Sequence, residues 1–129
     1  MAEPPGRVAD PPGRPLLVFD GSCDLCRRWA RRLTPAGGGL DGAPWQEIAG
    51  RYAEIPEGAL RRSVHLIEPD GAVVAGAEAV VRALARARGL RAPLWIYRHV
   101  PGAAALLERL YRIAAAHRGR AGAPSPSRR

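Results

Sequence analysis

The chain has 129 residues and a formal net charge of +8, from 20 basic and 12 acidic residues. Every basic residue is arginine, and alanine, glycine and proline are abundant, so the charge reflects compositional bias and we do not expect a nucleic-acid-binding protein. The length suits a single domain, and no segment approaches the ~20 consecutive apolar residues that a membrane-spanning helix needs.

Both ends of the chain lack apolar patterning. We predict a disordered N-terminal tail over residues 1–14, which are rich in proline, and a disordered basic tail over residues 119–129. Residues 15–118 are then the folded domain. The first residues show neither the basic start nor the apolar run of a signal peptide, so a cytoplasmic protein is expected.

The first predicted element is a strand over residues 16–19, where four consecutive apolar residues fit a strand buried on both faces. Residues 20–22, Asp-Gly-Ser, then form a turn. A helix follows, with these apolar residues at helical spacing: Leu25, Trp29 and Leu33. The helix begins on a Cys-x-x-Cys formed by Cys23 and Cys26, the only two cysteines of the chain.

This cysteine pair has the chemistry for thiol–disulfide exchange. The unpaired backbone N–H groups and the dipole at a helix N-terminus stabilise a thiolate, here that of Cys23. Cys23 would attack a substrate disulfide, and Cys26, one turn further along, would resolve the mixed disulfide. The carboxylate of Asp24 opposes the thiolate whereas Arg27 and Arg28 favour it, and the sequence leaves the balance open.

The cysteines admit two other interpretations. They could be small apolar residues of the core, since a cysteine thiol packs as a small hydrophobe. They could also bind a metal, but a closed structural zinc site needs four ligands, and the histidines are distant in sequence: His65, His99 and His117. Thiol exchange is favoured because the motif directly follows a buried strand.

The middle of the chain predicts a weak strand, a helix and a hairpin. Residues 40–45 are a poor strand candidate that Pro44 confines to a sheet edge, with Trp45 expected in the core. Residues 46–54 fit a short helix. Residues 63–75 predict an antiparallel hairpin, because a Pro-Asp-Gly turn separates two apolar runs.

Two further helices complete the pattern. The first covers residues 78–88 and ends at Gly89; residues 94–97 are at most one helical turn. The last begins at Pro101 and has this apolar stripe: Leu106, Leu107, Leu110, Ile113 and Ala114.

The order of these elements is that of a thioredoxin-like α/β fold. It consists of a small mixed sheet of about four strands, flanked by helices, with an extra C-terminal helix. The first strand lies beside the third and the second lies at the edge. The cysteines then lie at the carboxyl end of a central strand, where open α/β sheets place their sites.

Residues 20–26, Asp-Gly-Ser-Cys-Asp-Leu-Cys, resemble the Asp-x-x-Cys-x-x-Cys signature of the DCC family of thiol–disulfide oxidoreductases. The resemblance covers residues 16–118. It continues through residues 63–67, 70–71 and 76–80 and ends on a Tyr-Ala-Arg pattern at Tyr111, Ala114 or Ala115, and Arg118. It implies a thioredoxin-like fold, with Cys23 and Cys26 as the redox pair and Asp20 as a signature residue.

The remaining site residues admit alternatives. Asp20 either orients the turn or accepts a proton from Cys26 during resolution. His65 is either a packed strand residue or a contact of the cysteines. The candidate substrate contacts are Ser22, Asp24, Ser63 and Val64. Thioredoxins place a cis-proline before the third strand, and the absence of a proline there argues against thioredoxin-like peptide docking.

The sequence therefore predicts a thiol–disulfide oxidoreductase that needs no cofactor and no metal. Its substrate would be a protein or a small molecule carrying a thiol or disulfide. The alternative is a non-catalytic thioredoxin-like module that binds an acidic partner. That alternative is suggested by the missing proline, by Asp24 between the thiols, and by the arginines of the first helix.

Overall fold

The structure is a computed structural model that describes residues 6–121, with side chains described for residues 6–116. Residues 1–5 and 122–129, which belong to the two predicted tails, lie outside the described residues, as does the side chain of Arg118.

Four strands form one mixed sheet with the order β2-β1-β3-β4. The strands are β1 (Leu16–Phe19), β2 (Asp41–Pro44), β3 (His65–Ile67) and β4 (Val73–Ala75). β1 pairs with β2 in parallel and with β3 antiparallel, and β3 and β4 form the antiparallel hairpin. This topology confirms the thioredoxin-like α/β fold, with β1 beside β3 and β2 at the edge.

Six helices surround the sheet in the described part of the chain. They are α1 (Asp24–Leu33), α2 (Trp45–Ile48), α3 (Glu57–Arg62), α4 (Ala77–Arg88), α5 (Ala92–His99) and α6 (Ala103–Ala121). The prediction for residues 46–54 was wrong in extent, since α2 ends at Ile48, and α3 was not predicted. α6 begins at Ala103 rather than at Pro101.

The sheet separates two apolar cores because successive side chains of a strand point to opposite faces. On one face Val18 and Ile67 pack with residues of the chain between β2 and β3, namely Trp45, Tyr52, Ile55 and Leu60. On the other face Leu17 and Leu66 pack with α1 and α4, mainly through Ala30, Leu33, Ala79 and Ala83. The expectation that Trp45 belongs to the core is confirmed.

Two predicted apolar stripes face the core only in part. Leu25 and Trp29 of α1 are about half exposed, and so are the following residues of α6: Leu106, Leu110 and Ile113. Of the predicted α1 stripe only Leu33 is buried, and it packs towards the sheet together with Ala30. Helical periodicity shows which residues share a face of the helix, but it does not show whether that face is buried.

Polar side chains attach α6 to the domain. The carboxylate of Glu108 accepts hydrogen bonds from the backbone N–H groups of Ala77 (3.1 Å) and Glu78 (3.3 Å), at the N-terminus of α4, and from the Tyr97 hydroxyl (2.6 Å). Burial, followed by the hydrogen bond to Glu108, raises the pKa of Tyr97 above its ordinary value, so this hydroxyl stays protonated and donates. Glu108 is therefore the N-cap that α4 lacks in its own sequence.

The segment before β1 lies against the domain. Val8 is buried in the core, its N–H donates to the carbonyl of Gly71 (2.9 Å), and the Val73 N–H donates to the carbonyl of Gly6 (3.1 Å). Residues 6–8 thus follow the outer edge of the hairpin at the start of β4. This differs from the expected start of the folded domain at residue 15.

Candidate dithiol site

The site begins with the turn between β1 and α1. Oδ1 of Asp20 accepts hydrogen bonds from the backbone N–H (2.9 Å) and the hydroxyl (2.7 Å) of Ser22, which is the geometry of an Asx-turn. Gln46 holds the turn from the other side, because its Nε2 donates to Asp20 Oδ1 (3.0 Å) and its Oε1 accepts from the Gly21 N–H (3.1 Å). The turn is fixed by four hydrogen bonds.

The parallel pairing of β1 and β2 brings Gln46 to this turn. Phe19 pairs with Pro44, so the residues that follow the two strands lie at the same edge of the sheet. The turn after β1 and the end of β2 approach so closely that a Cβ on Gly21 would lie 2.7 Å from the Cβ of Pro44. Glycine is therefore required at position 21. The turn in turn fixes the backbone position at which α1 and its two cysteines begin.

Cys23 is the N-cap residue of α1. Its backbone is extended, and its Sγ accepts a hydrogen bond from the backbone N–H of Cys26 at 3.2 Å. The sulfur thus occupies the position that a serine or aspartate oxygen takes at other helix N-termini, where N–H donors and the helix dipole favour negative charge. Both cysteines are half-buried and free.

The charged residues beside the thiols are partly paired. Arg27 forms an ion pair with Asp24 and also donates to the carbonyl of Gly21. The carboxylate that opposes a thiolate is thus compensated by its neighbour on the same helix. Arg28 forms no ion pair with any residue that the structure describes.

An apolar groove opens beside Cys26, between α1, α4 and α6. The cavity volume is about 280 Å³. Asp20, Cys26 and Tyr111 contribute the polar groups of its wall, and its apolar lining includes Leu25, Trp29, Leu33, Val64, Val80, Ala83 and Ala114. Asp20 and Cys26 therefore face one cavity, which lies against the redox motif.

Tyr111 binds the backbone of Val64, the residue just before β3. Its hydroxyl accepts a hydrogen bond from the Val64 N–H at 2.8 Å, and the Val64 side chain lines the apolar groove. The described residues contain no cis peptide bond, at Val64 or elsewhere. Of the two candidate contacts here, Val64 reaches the groove and Ser63 does not, since Ser63 faces the opposite side of the sheet with His65.

His65 is buried on the sheet face opposite α1. It pairs with Val18 across β1 and β3, and its Nδ1 lies 3.1 Å from the carbonyl of Ser63. Because that carbonyl can only accept, Nδ1 carries the hydrogen, and Nε2 has no hydrogen-bond partner among the described residues. Burial lowers the pKa of His65, although the bond to Ser63 partly opposes this shift. His65 is a packed residue and does not contact the cysteines.

No metal centre was found within the described part of the chain, since no three His, Cys, Asp or Glu side chains there are grouped closely enough to hold an ion. Likewise, no described helix has the length and apolarity needed to cross a membrane.

Sequence reasoning missed Gln46 and the capping role of Glu108. The parallel pairing of the first two strands could have indicated Gln46, because it places the residue two positions after Pro44 beside the turn after Phe19. Nothing in the local sequence indicates that Glu108 caps α4, because its backbone partners in α4 lie 30 and 31 residues away.

The β2-β1-β3-β4 sheet and the Cys-x-x-Cys, placed where a helix begins after a central strand, define a thioredoxin-like protein with a pair of neighbouring cysteines. The family model described as DCC1-like thiol-disulfide oxidoreductase matches residues 17–123. The chain belongs to this family, which confirms the resemblance found in its sequence. No curated protein and no solved structure matches the chain.

Proposed function

We propose that the protein exchanges disulfides with a thiol or disulfide substrate through Cys23 and Cys26, without a cofactor. The observation that carries the proposal is the hydrogen bond from the Cys26 N–H to Cys23 Sγ at the start of α1. This bond and the helix dipole both lower the free energy of the Cys23 thiolate, which is the nucleophilic form of cysteine. The proposed place of action is the cytoplasm, where thiols are kept reduced.

In the reducing direction the exchange takes two steps. The Cys23 thiolate attacks one sulfur of a substrate disulfide, and the other substrate sulfur leaves as a thiolate that takes up a proton. The Cys26 thiolate then attacks Cys23 Sγ and releases the second substrate sulfur. The substrate gains two electrons and becomes two thiols, while the protein becomes the Cys23–Cys26 disulfide. A dithiol reductant would return the protein to its starting state.

Asp20 is proposed to orient the turn. Its Oδ1 accepts three hydrogen bonds that fix residues 20–22 and Gln46, and these fix the position of Cys23. Asp20→Asn keeps an acceptor oxygen, whereas Asp20→Ala removes it. We therefore expect Asp20→Asn to retain most of the resolution rate and Asp20→Ala to lose it. If Asn were as damaging as Ala, proton transfer from Cys26 would be the better role.

The test of the proposal separates the roles of the two cysteines. The measurements are the rate of iodoacetamide alkylation and the rate of reduction of a disulfide, in the wild type, Cys23→Ser and Cys26→Ser. We expect Cys23→Ser to lose the faster phase of alkylation, because the thiol at the start of the helix is the proposed nucleophile. Cys26→Ser should accumulate a mixed disulfide on Cys23, and Cys23→Ser should form none. Disulfide reduction that is independent of both cysteines would refute the proposal.

A second candidate is a non-catalytic module that binds an acidic partner. It is favoured by Tyr111, which occupies the Val64 N–H, and by the arginines of α1 that have no ion pair with a described residue. The discriminating observation is a pull-down: partners retained equally by the wild type and Cys23→Ser would favour this candidate over the enzyme.

A further inference from the structure

We propose that the apolar groove between α1, α4 and α6 binds a bulky apolar side chain of a cysteine-containing peptide substrate, and that Arg28 and Arg32 bind acidic residues of the same peptide. The inference rests on the proposed thiol–disulfide exchange and specifies its substrate class.

The first observation is the position of the groove relative to the reactive sulfurs. Cys26 forms part of its wall, and the backbone N–H of Cys26 is bonded to Cys23 Sγ at 3.2 Å. A side chain in the groove therefore belongs to a residue close to the sulfur that Cys23 attacks. Because the lining is almost wholly apolar, the group that it favours is an aliphatic or aromatic side chain.

The second observation is that the apolar surface continues outside the groove. Leu25 and Trp29, which line it, remain 49% and 54% exposed. Exposed apolar residues contiguous with a cavity mark interaction surfaces. A small molecule that fills about 280 Å³ would leave the outer faces of both side chains in water, whereas a peptide crossing α1 would cover them.

The third observation is the charge beside this surface. Arg28 and Arg32 lie three residues after Leu25 and Trp29, respectively, so helical geometry places each guanidinium next to one of the apolar side chains. Neither arginine forms an ion pair with a described residue, whereas Asp24, the acidic residue of α1, is paired with Arg27. The rim is therefore positive and complements a peptide with acidic residues.

The fourth observation explains why recognition depends on side chains. The backbone N–H of Val64, a residue that lines the groove, already donates to the Tyr111 hydroxyl. A substrate backbone cannot bond to it unless Tyr111 moves. Affinity must then come from the groove and its arginines.

The probes are homodisulfides of two synthetic pentapeptides: Ac-Glu-Glu-Cys-Leu-Phe-amide, which is acidic and apolar, and Ac-Gln-Gln-Cys-Ser-Ser-amide, which is neither. Bis(2-hydroxyethyl) disulfide is a third probe that is too small to use the groove. The reduced full-length protein is mixed with each, and the second-order rate constant is measured by acid quenching followed by chromatographic quantification of the released substrate thiol, which is counted separately from the protein thiols. We expect the first peptide to react at least tenfold faster than the second, because burying one large apolar side chain favours binding by roughly that factor or more.

Matched variants separate the groove from its surroundings. Ala114→Met fills the groove from an exposed position of α6, and Ala116→Met adds the same side chain at an exposed α6 position outside the groove. Arg28→Gln/Arg32→Gln removes the rim charges, and Arg31→Gln removes a charge from another face of α1. We expect Ala114→Met to abolish the preference for the apolar peptide, and the double variant to reduce it roughly two- to fivefold per charge at low salt. Both control variants should keep it.

The outcomes distinguish this inference from the proposed function. If all three disulfides are reduced at equal rates, or if Ala114→Met keeps the preference, the groove is not the substrate site although the exchange activity stands. Faster reduction of bis(2-hydroxyethyl) disulfide than of both peptides would also overturn it. If none of the disulfides reacts, the proposed function fails, and the inference fails with it.

Discussion

Glu108 offers the most direct test of how the C-terminal helix is held. Its carboxylate accepts two backbone N–H groups of α4 and the Tyr97 hydroxyl, and α4 has no capping side chain at its own N-cap, Gly76. Loss of an N-cap costs about 1 kcal/mol, and loss of a hydrogen bond to a charged group about 1.5–3 kcal/mol. Glu108→Ala should therefore lower the free energy of unfolding by about 3 kcal/mol.

The assay is urea unfolding followed by tryptophan fluorescence at neutral pH. Glu108→Gln keeps an acceptor oxygen and loses the charge, so we expect a smaller decrease of about 1 kcal/mol. Tyr97→Phe removes one donor, and its effect should be largely absent when Glu108 is already alanine, because the two residues share one bond. Because α6 forms one wall of the apolar groove, a variant that weakens the attachment of α6 should also loosen the groove.

The reasoning would be refuted by a Glu108→Ala protein whose unfolding free energy lies within about 0.5 kcal/mol of the wild type, since surface substitutions have effects of that size. Additive effects of Glu108→Ala and Tyr97→Phe would refute the shared bond specifically.

Three further predictions follow from buried or strained positions. Tyr111→Phe leaves the Val64 N–H without its partner and should cost about 1–3 kcal/mol in the same urea assay; an unchanged midpoint would contradict this. Gly76→Ala should cost about 2 kcal/mol or more, because φ is +69° and the new Cβ would lie 2.6 Å from Glu108 Oε1; a stabilised protein would show that the strain is absent. Burial lowers the pKa of His65 in the folded protein below its ordinary value of 6.5. The unfolded chain therefore binds the proton more readily than the folded protein does. The contribution of His65 to stability is complete above pH 6.5 and is lost as the pH falls below 6.5. Unfolding measured from pH 7.5 to 5.5 should show a slope that His65→Gln reduces by up to about 1.4 kcal/mol per pH unit, and equal slopes would disprove the burial argument.

The redox motif and its supporting strand were predictable because the signals are local. Four apolar residues, a turn and the Cys-x-x-Cys lie within residues 16–26, and the Pro-Asp-Gly turn of the hairpin is equally compact. The ion pair between Glu78 and Arg82, 2.8 Å in the structure, follows from their i,i+4 spacing alone. The roles of Cys23, Cys26 and Asp20 in exchange remain predictions.

The environment of the site was less predictable because it depends on distant contacts. Helical spacing grouped Leu25 with Trp29 but could not reveal that α6 leaves a groove beside them. α3 was missed because six residues give little periodicity, although Pro56 before Glu57 is a helix-start signal. Similarly, the attachment of α6 through Glu108 joins residues about 30 positions apart, which no local pattern encodes.

The outer strands of the sheet bear on how this protein behaves at high concentration. An open row of backbone donors and acceptors invites pairing between molecules and, eventually, aggregation. Here Pro44 removes a donor from β2, and residues 6–8 cover the beginning of β4 through the bond from Val73 to Gly6. Removing the chain up to Val8 would expose the backbone groups of β4 at this edge, and we expect the shortened protein to self-associate more readily.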